Sequence, residues 1–247
     1  MNYATEIKNF TKRFGHKTVV NNASFQVKKG SIHGFIGPNG AGKSTTLNAL
    51  MYLVIASGGE LFIEGKKVLS PSGIKEIGDP SFNANVGYVW AEPSFPRNMK
   101  VKKFVEFVSI LRSLSLSKTT KELNNSSLNR LSNQKCVSLS TGQKKLLQLF
   151  AINLYQPKIL ILDEPFNGLD PTKRTLLANK IKEVRDQGGT ILMSTHILSD
   201  LQELADEITM IRSGEIVFTG PKPDNIQKLY EQNFISVQGK TTDDLFA

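Results

Sequence analysis

The sequence has a single cysteine and no long apolar run, which argues against a disulfide-stabilised protein and against a transmembrane protein. Cys136 cannot form an internal disulfide and has no second cysteine for a metal site, so we expect it to be a small apolar filler. No apolar run approaches the roughly 20 residues that a transmembrane helix needs. The N-terminus lacks the basic and apolar segments of a signal peptide. We therefore expect a cytosolic protein whose contact with a membrane requires a separate partner chain.

The composition is that of an ordinary globular protein, but its positive charge is unevenly distributed. The chain has 247 residues, of which 39% are hydrophobic and 21% charged, and its net charge is +9. Residues 100–145 contain ten Lys or Arg against two Glu, which accounts for +8 of that charge. Such a patch indicates nucleic acid, anionic lipid or an acidic partner, although scattered lysines usually form a solvated face.

A phosphate-binding loop is the strongest signal in the sequence. Residues 37–45 read GPNGAGKST and fit the pattern G-x-x-x-x-G-K-[ST]. Glycine allows the backbone to turn so that consecutive N–H groups point into one concavity, while Lys43 supplies a cation and Ser44 a hard oxygen for Mg²⁺. A predicted strand over 31–36 and a predicted helix over 44–51 flank the loop, which makes a chance match improbable. The predicted phosphate-binding residues are Gly37, Pro38, Asn39, Gly40, Ala41, Gly42, Lys43, Ser44 and Thr45.

Strands and helices alternate along the rest of the chain, which predicts an α/β fold with a largely parallel sheet. Residues 4–27 are β-rich, 101–137 are mostly helical, and a polar tail over 232–247 is expected to be poorly ordered. Asp170 and Pro171 are typical of a helix start. The other predicted elements are strands over 60–65, 85–90, 158–163 and 190–194, helices over 144–155 and around Leu201, Leu204, Ala205 and Ile208, and a hairpin over 208–218 that turns at Ser213 and Gly214.

An acidic pair, Asp163 and Glu164, follows a continuous apolar run that is typical of a buried parallel strand. Ligands of open α/β sheets bind beyond the carboxyl ends of the strands, where the phosphate loop is also expected. One carboxylate can reach Mg²⁺ while the other faces an attacking water. Because the chain already has a phosphate loop, we interpret the pair as functional and not as a solvated acidic turn.

Four motifs in a fixed order then identify a family resemblance. They are the phosphate loop, LSTGQ at 139–143, the acidic pair within LDEP at 162–165, and STH at 194–196. From about Ala4 to Gly220 the chain resembles the ATP-binding subunit of an ABC transporter. LSTGQ resembles the signature motif, with Thr141 where glycine is commoner. Residues 159–163 resemble the Walker B strand and 168–170 the D-loop.

The resemblance implies roles for individual residues. Glu164 corresponds to the catalytic glutamate, Lys43 binds the β- and γ-phosphates, and His196 contacts the γ-phosphate. Phe14 corresponds to the aromatic residue that stacks on adenine, whereas periodicity alone favours a core position for it. The signature residues implied to contact the nucleotide held by a second copy are Ser140, Gly142 and Gln143.

The chain departs from the family at the residue that usually contacts the metal. The family has a glutamine after the Gly-Tyr-Val strand, and that position is Ala91 here. Alanine has no ligand atom, so we expect either Glu92 to replace it or the contact to be missing. The implied Mg²⁺ ligands are Ser44, Asp163 and Glu92.

The resemblance implies a fold and its subdivision. We expect an α/β fold with a P-loop NTPase core and a mainly parallel sheet, an N-terminal antiparallel β subdomain and an inserted α-helical subdomain. A single ATPase domain would span 1–247. Its core with the β subdomain would comprise 1–100 and 138–220, its helical insertion 101–137, and its short C-terminal extension 221–247.

The implied function is ATP hydrolysis, with ATP and Mg²⁺, that powers a separate membrane permease. The partners would be a second cassette and the permease, at the cytoplasmic face of the membrane, with a drug, antibiotic or peptide as exported cargo. The alternative is a non-transport ATPase of the same superfamily that acts on ribosomes or nucleic acid, which the net charge permits. Its relatives usually carry two cassettes or a long coiled coil, and this chain has one phosphate loop and no sustained heptads. We therefore expect no direct nucleic-acid binding. A catalytically inactive scaffold is disfavoured because Lys43, Asp163, Glu164 and His196 are all present.

Overall fold

A computed structural model describes residues 2–69 and 85–234 of the chain. Its secondary structure comprises two β-sheets and helices between and around them. The strands are β1 (Tyr3–Phe14), β2 (Lys17–Lys28), β3 (Ile32–Ile36), β4 (Gly58–Ile63), β5 (Lys66–Leu69), β6 (Val86–Val89), β7 (Ile159–Asp163), β8 (Thr190–Thr195), β9 (Glu207–Arg212) and β10 (Glu215–Pro221). The α-helices are α1 (Lys43–Leu50), α2 (Val101–Leu111), α3 (Leu116–Asn125), α4 (Thr141–Asn153), α5 (Pro171–Asp186), α6 (Leu198–Leu204) and α7 (Ile226–Phe234).

The first sheet is antiparallel, with strand order β2-β1-β4-β5. Buried and exposed residues alternate over much of β2, as expected for a strand with one face on the core. Ile7 and Phe10 of β1 and Leu61 of β4 are fully buried in the core that this sheet shares with α1. The expected N-terminal antiparallel β subdomain is confirmed.

The second sheet brings the predicted site residues to one edge. Its order is β10-β9-β3-β8-β7-β6, and all neighbours are parallel except β9 and β10. Every residue of β3, β7 and β8 is buried, which explains the continuous apolar run over 159–162 in β7. Ile36 pairs with Thr195, and Asp163 pairs with Ser194, so the carboxyl ends of the three strands are level. The segments that follow these strands therefore share one edge of the sheet.

Helices α2 and α3 lie in the segment predicted to be helical and form a core of their own with part of α4. Val101 and Val105 of α2 pack with Leu123 of α3 and Leu147 of α4. Cys136 is fully buried in the same cluster, so its interpretation as a small apolar filler is confirmed. Within residues 2–69 and 85–234, no helix has both the length and the apolar character that crossing a bilayer would require.

The hairpin between β9 and β10 and the start of α5 form as predicted. Ser213 and Gly214 have φ of 49° and 87°, the positive values of a two-residue hairpin turn. The side chain of Asp170 caps α5 by accepting a hydrogen bond from the N–H of Lys173. Ile208, which we assigned to the preceding helix as well as the hairpin, belongs to β9.

Two helix boundaries differ from the predicted ranges. Helix α4 spans Thr141–Asn153 instead of 144–155, and its N-cap is Ser140, which with Thr141 is the residue type that the sequence favours there; Ser140 forms a capping box with Gln143. Residues 232–234, assigned to the polar tail, belong to α7, whose partly buried Leu229, Tyr230 and Phe234 pack on the second sheet's core. The remainder of the predicted tail lies outside the described residues.

A buried histidine at the centre of the sheet makes stability depend on pH. His33 is 1% exposed, and its Nε2 atom lies 2.8 Å from Oγ1 of Thr209. Burial, together with a smaller contribution from the nearby charge of Lys28, lowers the pKa of His33 from 6.5 to about 4. The unfolded chain therefore takes up a proton near pH 6.5, whereas the folded chain does so only near pH 4. This contribution to stability is complete above pH 6.5 and is lost as the pH falls through that window.

We expect a His33→Gln variant to show a flatter pH dependence of stability. Glutamine keeps a hydrogen-bonding group near Thr209 but does not titrate. Between pH 6 and 4.5 the free energy of unfolding of the parent should fall more steeply than that of the variant, by up to about 1.4 kcal/mol per pH unit. Urea denaturation of both proteins across this range measures the difference. Parallel curves would show that His33 does not contribute.

Candidate functional site

The phosphate loop connects β3 to α1, and its glycines have conformations or neighbours that exclude a side chain. Gly40 and Gly42 have φ of 79° and 108°. A Cβ atom on Gly37 would lie 2.4 Å from the carbonyl oxygen of Ile211. The loop therefore has the backbone that a phosphate cradle requires.

Lys43 is the first residue of α1 and is only 6% exposed. Its Nζ donates hydrogen bonds to the carbonyl oxygens of Gly37 (2.6 Å) and Pro38 (3.2 Å) and lies 3.6 Å from Oε1 of Glu164. No side chain caps α1, and the first N–H groups of a helix have no partner within it. The loop thus combines a buried cation with the positive end of a helix, which suits a polyphosphate.

The acidic pair ends β7 on the same edge of the sheet. Asp163 and Glu164 are 3% and 8% exposed, respectively. Oδ1 of Asp163 accepts a hydrogen bond of 2.5 Å from Oγ of Ser194, and the N–H of Glu164 donates to the same hydroxyl at 3.1 Å. Ser194 therefore orients both acidic residues from the adjacent strand β8. The sequence places Ser194 in the STH motif but does not indicate this role. The role follows from the parallel pairing of β7 and β8, which brings Ser194 beside Asp163.

The carboxylate of Glu164 contacts both Lys43 of the phosphate loop and His196. Nδ1 of His196 lies 2.9 Å from Oε2 of Glu164, and Nδ2 of Asn167 donates to the same oxygen at 3.4 Å. Together with the 3.6 Å contact between Lys43 and Oε1, these distances place the carboxylate between the loop and the histidine. The His196 side chain is 42% exposed and so remains accessible to a ligand. The structure brings these three predicted catalytic side chains together.

The LSTGQ motif forms the start of α4. Oγ of Ser140 accepts from the N–H of Gln143 at 3.3 Å, and Oε1 of Gln143 accepts from the N–H of Ser140 at 2.9 Å. In the part of the chain that the structure describes, each of these side chains accepts a hydrogen bond from the backbone N–H of the other residue, and neither bonds to the phosphate loop. A Cβ atom on Gly142 would lie 2.9 Å from the carbonyl oxygen of Gly168, so this start packs tightly on the GLD segment. Ser140 and Thr141 remain exposed.

Three further residues, Phe14, Glu92 and Lys145, were given a position or a role by the sequence analysis, and the outcome differs among them. Phe14 is 51% exposed, so the core position that periodicity favoured is wrong, and Nζ of Lys12 lies 4.5 Å from the centre of its ring. Glu92 is exposed in the loop after β6 and makes no hydrogen bond to any described residue, so its role as a metal ligand stays a prediction. Lys145, which we counted in the basic patch, is completely buried.

The residues at this edge have the chemistry that Mg²⁺ prefers. The exposed hydroxyl of Ser44 and the carboxylate of Asp163 are hard oxygen ligands. Among the described residues, no three His, Cys, Asp or Glu side chains cluster as a metal site. Mg²⁺ usually uses one or two protein ligands together with substrate phosphates and water, so this donor set fits it.

Comparison with known proteins agrees with the fold and the motifs. The sequence profile of the family described as "ABC transporter" matches residues 20–167. The chain is 32% identical to the lantibiotic transport ATP-binding protein SrtF of Streptococcus pyogenes over 232 residues, which cover 93% of this chain and 97% of that one. It is 31% identical to the bacitracin transport ATP-binding protein BcrA of Enterococcus faecalis over 235 residues, covering 94% and 73%.

Solved structures show the same architecture. A structure titled as the ATP binding subunit of an ABC transporter superposes with a TM-score of 0.78 at 24% identity, covering 98% of both chains. The dimeric structure of the ATP-binding cassette MJ0796, bound to ADP and Pi, superposes with a TM-score of 0.75 at 22% identity, covering 88% of this chain and 98% of that one. These likenesses confirm the α/β P-loop NTPase fold.

The fold and the site define a P-loop ATPase. The chain belongs to the ABC transporter family, as one of its ATP-binding subunits, and its substrate is ATP.

Proposed function

We propose that two cassettes bind two ATP molecules between them and that hydrolysis drives a separate membrane permease. The observation that carries this proposal is the position of the Glu164 carboxylate, between Lys43 of the phosphate loop and His196. The LSTGQ start of α4, by contrast, presents Ser140 at the surface without contacting that loop. Each chain therefore has one complete half-site and one exposed helix N-terminus suited to an anion. The dimer described for MJ0796 supports the pairing.

Each residue has a defined task in this proposal. Lys43 neutralises charge on the β- and γ-phosphates, and Glu164 accepts a proton from the attacking water. His196 contacts the γ-phosphate and orients the carboxylate to which it is hydrogen-bonded. Ser140 and Gly142 donate hydrogen bonds to the γ-phosphate held by the other cassette. Mg²⁺, held by Ser44 and Asp163, would neutralise phosphate charge when bound.

The surface of α2 supports contact with a permease at the membrane. Phe107, Ile110 and Leu111 are 51%, 67% and 65% exposed, and their spacing places them on one face of the helix. Exposed lysines at 102 and 103 lie on the same helix, where positive charge suits anionic headgroups. The names of SrtF and BcrA support peptide or antibiotic cargo, with export as the proposed direction.

We expect neutralisation of Lys102, Lys103 and Lys118 to Gln to weaken association with the permease. All three lysines are exposed, and each basic residue near an anionic membrane contributes about 1 kcal/mol. The measurement is the fraction of the chain that co-purifies with its co-expressed permease in membranes that contain anionic lipid.

The matched control neutralises three exposed lysines elsewhere, Lys17, Lys29 and Lys228, and removes the same total charge. Only the first triple variant should lose association. An equal loss in both would assign the effect to net charge, and no loss in either would contradict the proposed membrane-facing surface.

A further inference from the structure

Lys145 is a buried cation that the proposed mechanism does not use. It lies in the second turn of α4 and is completely buried, whereas its neighbour Lys144 is partly exposed. Its Nζ donates a hydrogen bond to the backbone carbonyl oxygen of Glu164. Within residues 2–69 and 85–234, its ammonium group has no direct ion pair with a carboxylate. Its position therefore ties the helix that begins with LSTGQ to the backbone of the catalytic glutamate.

The backbone that Lys145 contacts has an unfavourable conformation. Glu164 has a φ of 46°, in the left-handed region, which is unfavourable for a residue with a side chain. Such a conformation persists only where its surroundings hold it. The N–H of Glu164 is held by the carbonyl oxygen of Ser194 at 3.2 Å and by its hydroxyl at 3.1 Å. Lys145 donates to the other side of the residue, at its carbonyl oxygen, which also accepts a hydrogen bond of 3.3 Å from the N–H of Asn167.

Burying the charged side chain of a lysine to form one hydrogen bond has an unfavourable desolvation free energy. Burial lowers its pKa to about 8, although the charges of Glu164 and Asp163 oppose this shift. An apolar residue of similar length would fill the space without the cost of removing a charge from water. The donated hydrogen bond, and not packing alone, therefore accounts for a lysine at this position.

We propose that Lys145 is a positioning residue for ATP hydrolysis, which fixes the left-handed turn that directs the Glu164 carboxylate toward Lys43 and His196. The turn sets where the carboxylate points, and a displacement of about 1 Å at a reacting group can lower a rate roughly 100-fold. Because Lys145 and Ser140 lie on the same short helical segment, Lys145 also connects the surface proposed to receive the second nucleotide to the catalytic glutamate. This inference rests on the proposed role of Glu164.

The test compares Lys145→Met, which cannot donate a hydrogen bond, with Lys145→Gln, which can donate without a charge. In Lys145→Met we expect kcat to fall at least tenfold while KM for ATP changes less than threefold. In Lys145→Gln we expect kcat to recover to within about threefold of the parent. Lys144→Met is the matched control and should leave both constants unchanged. Thermal unfolding by circular dichroism establishes that each variant is folded.

The outcomes distinguish this inference from the function on which it rests. A Lys145→Met protein with parental kcat would overturn the positioning role. Equal loss in Lys145→Met and Lys145→Gln would also contradict it, because an uncharged hydrogen-bond donor at this position would then fail to restore kcat. If Lys145→Met is not folded, Lys145→Gln decides: a kcat more than tenfold below the parent overturns the proposal, and near-parental kcat supports it. Turnover by Glu164→Gln at the parental rate would instead refute the proposed function itself.

Discussion

Replacement of Glu164 by Gln is expected to reduce ATP turnover by about 10²–10⁴-fold, the usual contribution of a general base. Glutamine has nearly the same shape and can still contact His196, but it cannot accept a proton from the attacking water. The Lys43 ammonium and the phosphate loop are unchanged, so ATP should still bind. Steady-state release of phosphate gives kcat, and titration with a fluorescent ATP analogue gives the affinity.

A second carboxylate provides the control for this experiment. Glu122→Gln on α3 removes the same charge within the helical segment and should leave kcat unchanged. If Glu164→Gln hydrolyses ATP at the parental rate, the assignment of Glu164 as the base is wrong. If it loses turnover together with nucleotide affinity, the carboxylate acts in binding and not in proton transfer.

Replacement of Lys43 by Ala is expected to weaken ATP binding by about 10- to 150-fold, because a hydrogen bond to a charged group contributes roughly 1.5–3 kcal/mol. The variant also leaves Oε1 of Glu164 without the cation that lies 3.6 Å from it. That buried carboxylate would then repel the phosphates, which adds to the loss. Isothermal titration with ATP measures the change in Kd.

The control for this variant is Lys29→Ala, which removes an exposed lysine. Its affinity for ATP should equal that of the parent. Undiminished affinity in Lys43→Ala would refute the assignment of residues 37–45 as the phosphate loop.

The strands and the loop were predictable because their signals are local. The run Ile159–Leu162 is apolar at every position, so it indicates a strand buried on both faces, and the structure has β7 there. The phosphate loop was equally accessible, since the need for glycine at positive φ is a property of the backbone itself. Asp170 and Pro171 likewise predict the start of α5 from capping chemistry alone.

The wrong predictions concern residues whose burial or backbone conformation is determined by tertiary contacts. Lysine is usually exposed, and the burial of Lys145, whose Nζ bonds to the backbone carbonyl oxygen of Glu164, depends on tertiary contacts that the sequence does not reveal. Phenylalanine is usually buried in a core, but Phe14 is the last residue of β1 and is exposed at the surface. Helix α7 follows a polar segment, and its extent could not be predicted because its apolar side chains are stabilised by packing against the core of the second sheet. The left-handed backbone of Glu164 is likewise imposed by neighbours from other elements.

The most direct test of the proposed shared site is the molar mass of Glu164→Gln with and without ATP. Light scattering coupled to size exclusion should give about 27.3 kDa, the mass of one chain, without nucleotide. With ATP and Mg²⁺ it should give twice that mass, because a bound ATP that cannot be hydrolysed holds the phosphate loop of one copy against the Ser140 segment of the other. A single-chain mass at ATP concentrations that saturate the binding site would contradict the account.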